Sequence, residues 1–128
     1  MTREEFIQIL DVEGYSYEIE GDKIIVTHKG GVDLSPLTSL PPDVVFNNGG
    51  GVNLRSLTSL SPGVVFNNGG GVYLSELTSL PPGVEFKNGG SVYLRSLTGG
   101  WFSEWKGNIE GIESKRLLNL MIKRGFFI

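Results

Sequence analysis

Cysteine is absent from the 128 residues. That excludes disulfides, thiolate nucleophiles and zinc-thiolate sites, and leaves no hint of an oxidising compartment. Long apolar runs are missing too: no stretch approaches the roughly eighteen residues of a membrane-spanning helix. The opening Met1-Thr2-Arg3-Glu4-Glu5-Phe6 carries neither the basic start nor the apolar core of a secretory signal. A cytoplasmic protein without a membrane segment is expected. Nor is there an excess of one charge: 11 Lys and Arg against 14 Asp and Glu leave a net charge of −3, which suits neither a nucleic-acid binder nor a strong DNA mimic. With 39% apolar residues the chain has enough for one domain with a modest core.

What the chain has in quantity is glycine, 19 residues, and the reason is repetition. From Gly31 to Gly100 stand GVDLSPLTSLPPDVVFNNGG (31–50), GVNLRSLTSLSPGVVFNNGG (51–70), GVYLSELTSLPPGVEFKNGG (71–90) and the half-copy SVYLRSLTGG (91–100). A fixed period of this size means stacked units, none of which can bury its apolar side alone. The invariant apolar set is Val52, Leu54, Leu57, Leu60, Val64, Phe66 and their images. Val52 and Leu54, like Val64 and Phe66, are spaced by two, as on one face of a short strand. Ser61-Pro62-Gly63 and Asn67-Asn68-Gly69-Gly70 separate the strands with turn chemistry, their glycines expected to supply positive φ. Each coil is therefore strand, corner, strand, corner. Stacking would superpose Asn48, Asn68 and Asn88 as an internal amide ladder bracing the second corner.

The L-T-S-L-P-x-G-V-x-F-x-N phrase resembles that of short bacterial leucine-rich repeats, whose period is also about twenty residues. It is similar as well to tandem repeats of gut bacteria and their phages, in which the phrase alternates with N-N-G-G. Because N-N-G-G-G-V-x-L replaces the usual asparagine-then-leucine step and no helical convex segment fits, the resemblance implies a compact β-solenoid rather than a horseshoe. The expectation is a mainly β fold, a small right-handed solenoid of about 3.5 coils. Residues 1–30 would cap it, 31–100 form the repeat array, and 101–128 close it, all as one continuous domain.

In the first of these segments Thr2 and Glu5 form a capping box for a helix near residues 3–12, with Phe6, Ile7 and Leu10 on one face. Tyr15 to His28 reads as a hairpin whose second strand aligns with the repeat, Ile24, Ile25 and Val26 lying twenty residues before Val44, Val45 and Phe46. Seven carboxylates between Glu4 and Asp22 mark a solvated acidic face. In the last segment Trp101, Phe102 and Trp105 would cover the final coil, and Glu113 to Arg124 is a helix ended by Gly125. Phe126, Phe127 and Ile128 either fold back or form half of a dimer or partner contact.

No active site emerges, so no enzyme, cofactor or metal site is expected. His28 ends a strand in register with Asn48 and reads as a corner residue. N-N-G-G-G lacks the G-K-[ST] of a phosphate loop and recurs in every coil. A calcium β-roll would need aspartates where only Asp33 occurs, and the threonine column at 38, 58, 78 and 98 lacks the paired threonines of a flat ice-binding face. The positions that vary between copies alternate with the apolar set and so face outward. Among them are 33/53/73/93 (Asp, Asn, Tyr, Tyr) and 35/55/75/95 (Ser, Arg, Ser, Arg). They bring Tyr73, Tyr93, Arg55 and Arg95 to one face, with the composition of a binding hot spot. The expected function is a non-enzymatic protein-binding module with an unidentified protein partner and no direct nucleic-acid ligand. The repeat resemblance implies, more narrowly, a phage-encoded inhibitor of a bacterial defence nuclease or other host enzyme. A carbohydrate-binding or polysaccharide-acting solenoid is the alternative.

Overall fold

The computed structural model describes residues 1–97, 107–109, 111–125 and 127. The tryptophan segment expected to cap the array, the Thr98 end of the threonine column, Phe126 and Ile128 lie outside them. The chain is a mainly β solenoid of about four turns with a helix at its start and another near its end. No helix among the described residues is long and apolar enough to cross a membrane.

Helix α1 (Arg3–Glu13) begins at the capping box: the Thr2 hydroxyl accepts the Glu5 N–H at 3.1 Å and the Glu5 carboxylate accepts the Thr2 N–H at 2.9 Å. Those bonds from Thr2 hold the Glu5 carboxyl below its ordinary range. Gly14, at φ +77°, turns the chain out of the helix in the left-handed conformation that glycine adopts without cost. Phe6 and Leu10, one turn apart, are fully buried against the first coil. Strands β1 (Tyr17–Glu20) and β2 (Lys23–Val26) then form the expected hairpin.

From β2 onward the twenty-residue period becomes the pairing register. Strands β4 (Val44–Phe46), β6 (Val65–Phe66) and β8 (Glu85–Phe86) add in parallel to β2, with Val26 beside Phe46, Phe46 beside Phe66 and Phe66 beside Phe86. A second parallel sheet is built from β3 (Val32–Asp33), β5 (Val52–Asn53), β7 (Val72–Tyr73) and β9 (Val92–Leu94), with Val32, Val52, Val72 and Val92 in one row. Each sheet gains one antiparallel strand, β1 at the start of the first and β10 (Gly107–Ile109) at the end of the second. Helix α2 (Gly111–Lys123) follows.

Between the sheets lies the invariant apolar set. Val52, Leu54, Leu57, Leu60, Val64 and Phe66 are all buried, and so are their images in the third coil. Only Leu37, the first image of Leu57, is half-buried. Phe46, Phe66 and Phe86 stack with ring centroids 5.2 and 5.0 Å apart and planes within 6°. That offset is set by the strand spacing, about 4.8 Å, which is also a favourable separation for aromatic rings.

The two corners use glycine for different reasons. In the proline corner Gly63 and Gly83 have φ of +82° and +95°, and Asp43, their image, holds φ +61°, the one positive-φ residue other than glycine among those described. Asp43→Gly is therefore expected to stabilise the protein by about 0.5–1 kcal/mol in chemical denaturation, by removing left-handed strain. The N-N-G-G corner corrects the expectation of positive φ. Its glycines are not left-handed. They are needed because adjacent coils touch there: a Cβ on Gly49, Gly69 or Gly89 would sit 2.0–2.6 Å from a backbone carbonyl oxygen of the preceding coil.

The column of Asn48, Asn68 and Asn88 is buried and does brace the corner, but not as an amide ladder. Each Nδ2 points at backbone carbonyls: that of Asn68 donates to Gly50 O, Gly70 O and Gly71 O at 3.0–3.3 Å. The same set recurs one coil earlier and one later. The side-chain ladder is the exposed neighbouring column, where Asn67 Nδ2 donates to Asn47 Oδ1 at 3.1 Å. Each buried amide thus gives its N–H groups to corner carbonyls and leaves its Oδ1 without a hydrogen-bond partner among the described residues, where a ladder would have had that oxygen accept from the next amide.

Both open ends are closed by side chains that imitate a missing strand. At the first coil the Tyr15 hydroxyl accepts the Asp33 N–H at 3.0 Å and donates to the Asp33 carbonyl at 3.5 Å. At the last, the Asn119 amide takes the Phe86 N–H at 2.8 Å and gives to the Phe86 carbonyl at 2.9 Å. Lys115, one helical turn earlier and buried where Asn119 is half-buried, donates from Nζ to the carbonyls of Asn88 and Gly90. Phe127 folds back: its ring is buried and its carbonyl accepts the Leu80 N–H at 2.9 Å.

Candidate binding groove

The outward side of the second sheet and the turn after each of its strands carry two of the variable columns. Asp33, Asn53, Tyr73 and Tyr93 form one column because strand register places them directly beside one another. Ser35, Arg55, Ser75 and Arg95 form a parallel column two residues further along each coil. The first two copies fold the column-forming side chain back on the backbone: Asp33 Oδ1 accepts the Ser35 N–H at 3.0 Å and Asn53 Oδ1 accepts the Arg55 N–H at 3.2 Å. Ser35, through its hydroxyl and its N–H, together with a smaller pull from Arg55, keeps the Asp33 carboxyl below its usual range. Tyrosine cannot make that local bond, so Tyr73 and Tyr93 stand away from their own backbone.

They stack on each other instead. The two rings lie 4.6 Å apart and within 2° of parallel, over the backbone of Gly51 and Gly71. Tyr73 is 42% exposed, large for an aromatic on a sheet face. The groove they line has a volume of about 410 Å³ and is bounded by Arg55 and Arg95, with Ser75 on the coil between those two and Asn53 beside Tyr73. All four residues singled out from the sequence thus line one concavity. Neither guanidinium and neither phenol hydroxyl is held by a hydrogen bond or ion pair among the described residues. Lys87 and Glu85 pair at 3.3 Å on the other sheet.

Asn53 and Ser75 belong to the outward columns read from the sequence but not to its contact set, which takes the large side chains of a hot spot. The signal was in the alternation itself: a short residue between Arg55 and Arg95, and another where the tyrosine column stops, leave recesses that the long ones frame. His28 lies where expected, at a corner, with its ring edge-on to Tyr15 at 5.1 Å. No group of three or more His, Asp or Glu side chains gathers among the described residues.

Comparison with protein-family models, with curated proteins and with solved structures finds no match to this chain. The groove must be interpreted from its own chemistry.

Proposed function

We propose that the protein is a non-enzymatic protein-binding module whose contact surface is the groove of Tyr73, Tyr93, Arg55 and Arg95. The supporting observation is the parallel tyrosine pair, open to solvent and flanked by two guanidiniums that no hydrogen bond holds among the described residues, on a sheet whose backbone is rigidly paired on both sides. Tyrosine and arginine are the residue types over-represented among side chains that carry interface energy, and a pre-ordered ring pair loses little entropy on binding. A narrower version draws on the likeness of L-T-S-L-P and N-N-G-G to phage-borne repeats. In it the chain acts in the bacterial cytoplasm as an inhibitor that occludes a defence nuclease or another host enzyme.

The test is a paired capture experiment. Tyr73→Ala with Tyr93→Ala changes only outward side chains, so the fold and the thermal midpoint should stay close to the parent's. Capture of protein partners should fall at least tenfold. Val45→Ala, on the outer face of the other sheet, should leave capture unaltered. Equal capture by the double variant and the parent rejects the groove. A carbohydrate-binding version uses the same exposed Tyr73 face, on which a sugar ring could stack. A glycan array separates the two, since only that version gives saturable signals on glycans that the double variant loses.

A further inference from the structure

The tyrosine column ends one rung early. At the next rung Asn53 occupies the same register, its side chain folded back to accept the Arg55 N–H. The free face of Tyr73 on that side therefore looks into a gap where a third ring would stand if the column continued, as the buried phenylalanine column does at 5.0–5.2 Å. Beside it lies a second recess. Ser75 sits between Arg55 and Arg95, one rung from each, or about 5 Å along the stack. A carboxylate above Ser75 is within reach of both guanidiniums and of the serine hydroxyl, and charge-assisted bonds to arginine are strong and directional. No residue lining the groove is acidic. Asp33, one rung beyond Arg55, draws partly on that guanidinium.

We infer that the groove takes an extended protein segment bearing an aromatic side chain and a carboxylate two residues apart, the ring stacking on Tyr73 above Asn53 and the carboxylate lying above Ser75. The spacing comes from the fold. Ser75 is one rung over and two residues along from Asn53, so the recesses are separated by roughly 7–8 Å. In an extended chain residues i and i+2 point to the same side about 6.6 Å apart, while i+1 points away and i+4 lies about 13 Å off. An aromatic-x-acidic arrangement fits and neighbouring spacings do not. This inference rests on the protein-binding reading of the groove and adds the identity of what is bound.

The test uses the full chain and fluorescein-labelled octapeptides read by fluorescence anisotropy. A peptide with Phe-Ser-Glu at its centre should bind at least tenfold more tightly than peptides with Phe-Glu-Ser, Phe-Ser-Gln or Ala-Ser-Glu there. Arg95→Ala should weaken the Phe-Ser-Glu peptide at least tenfold and bring it level with Phe-Ser-Gln. Asn53→Tyr, which puts at this rung the residue that already stands at the next two, should fold normally and erase the preference for Phe over Ala. Equal affinity for all spacings, parent-like binding by Asn53→Tyr, or no binding of any peptide at millimolar concentration overturns the inference. If partner capture nonetheless fails with Tyr73→Ala and Tyr93→Ala, the protein-binding groove survives and only this occupant is wrong. Binding of free nucleotides that Asn53→Tyr blocks, with no peptide bound, would overturn both.

Discussion

Gly69→Ala is expected to lower stability by about 3 kcal/mol, a large share of the roughly 5–15 kcal/mol of an ordinary protein. The added methyl would stand 2.3 Å from the Gly49 carbonyl oxygen and 3.1 Å from its carbon. Most overpacked methyls are accommodated by a flexible side chain. Here the obstacle is backbone, and that backbone is pinned: Gly69 N–H donates to Asn48 O at 3.0 Å and Gly49 N–H to His28 O at 3.0 Å. Separating the coils to admit the methyl would stretch both bonds and those of Asn68 beside them. Gly30→Ala is the control. It stands in the same corner of the first coil but one residue further along, in the register of Gly50 and Gly70, and its Cβ would meet only His28 Nε2 at 4.0 Å. It should change stability by less than about 0.5 kcal/mol. Urea denaturation of the pair decides the matter, and equal midpoints would show that the coils do not approach as closely as described.

Phe66→Ala should cost about 3–5 kcal/mol, the upper range for a buried aromatic. Phe66 is fully buried and is the middle ring of its column, stacked on Phe46 on one side and Phe86 on the other. Truncation removes two ring contacts and leaves a void that the neighbours cannot fill, because strand pairing on both sides fixes their spacing. Phe66→Leu, which restores much of the volume without the ring faces, should recover about half of the loss. Thermal and chemical denaturation of the two variants would measure both quantities. A loss below about 1 kcal/mol for the alanine variant would mean that the column contributes shape and little energy.

The repeated part of the molecule was legible because each position could be compared with its own images. Val52, Leu54 and Phe66 never change and are buried, while positions 73 and 93 differ from 33 and 53 and are outside. The comparison gives direction and register. It does not say why an invariant polar residue is invariant, and so the Asn68 column was assigned to the wrong partners and the Gly69 corner to the wrong cause. Both depend on the close approach of successive coils, a distance that no single copy encodes. Residues acting only once had no image to be compared with. Tyr15 looked like an alternating strand residue, and Lys115 and Asn119 were two polar positions on an amphipathic helix. Their role follows from i, i+4 spacing on the face turned toward the last coil, and that orientation becomes visible only when the edge of β8 is placed beneath it. In the groove, the sequence places Asn53 and Ser75 in the outward columns, but residue size alone does not mark them as the recesses that the four large side chains frame.

The lids at the two ends grip main-chain atoms, those of Asp33 at one and of Phe86, Asn88 and Gly90 at the other. Any copy of the repeat presents the same atoms in the same places. Overall length is thus decoupled from closure: twenty residues can be inserted or deleted between the lids without either having to be redesigned. A gene built this way can lengthen or shorten by unequal crossing-over and still encode a sealed protein, and each added copy brings its own free choice at the positions that line the groove.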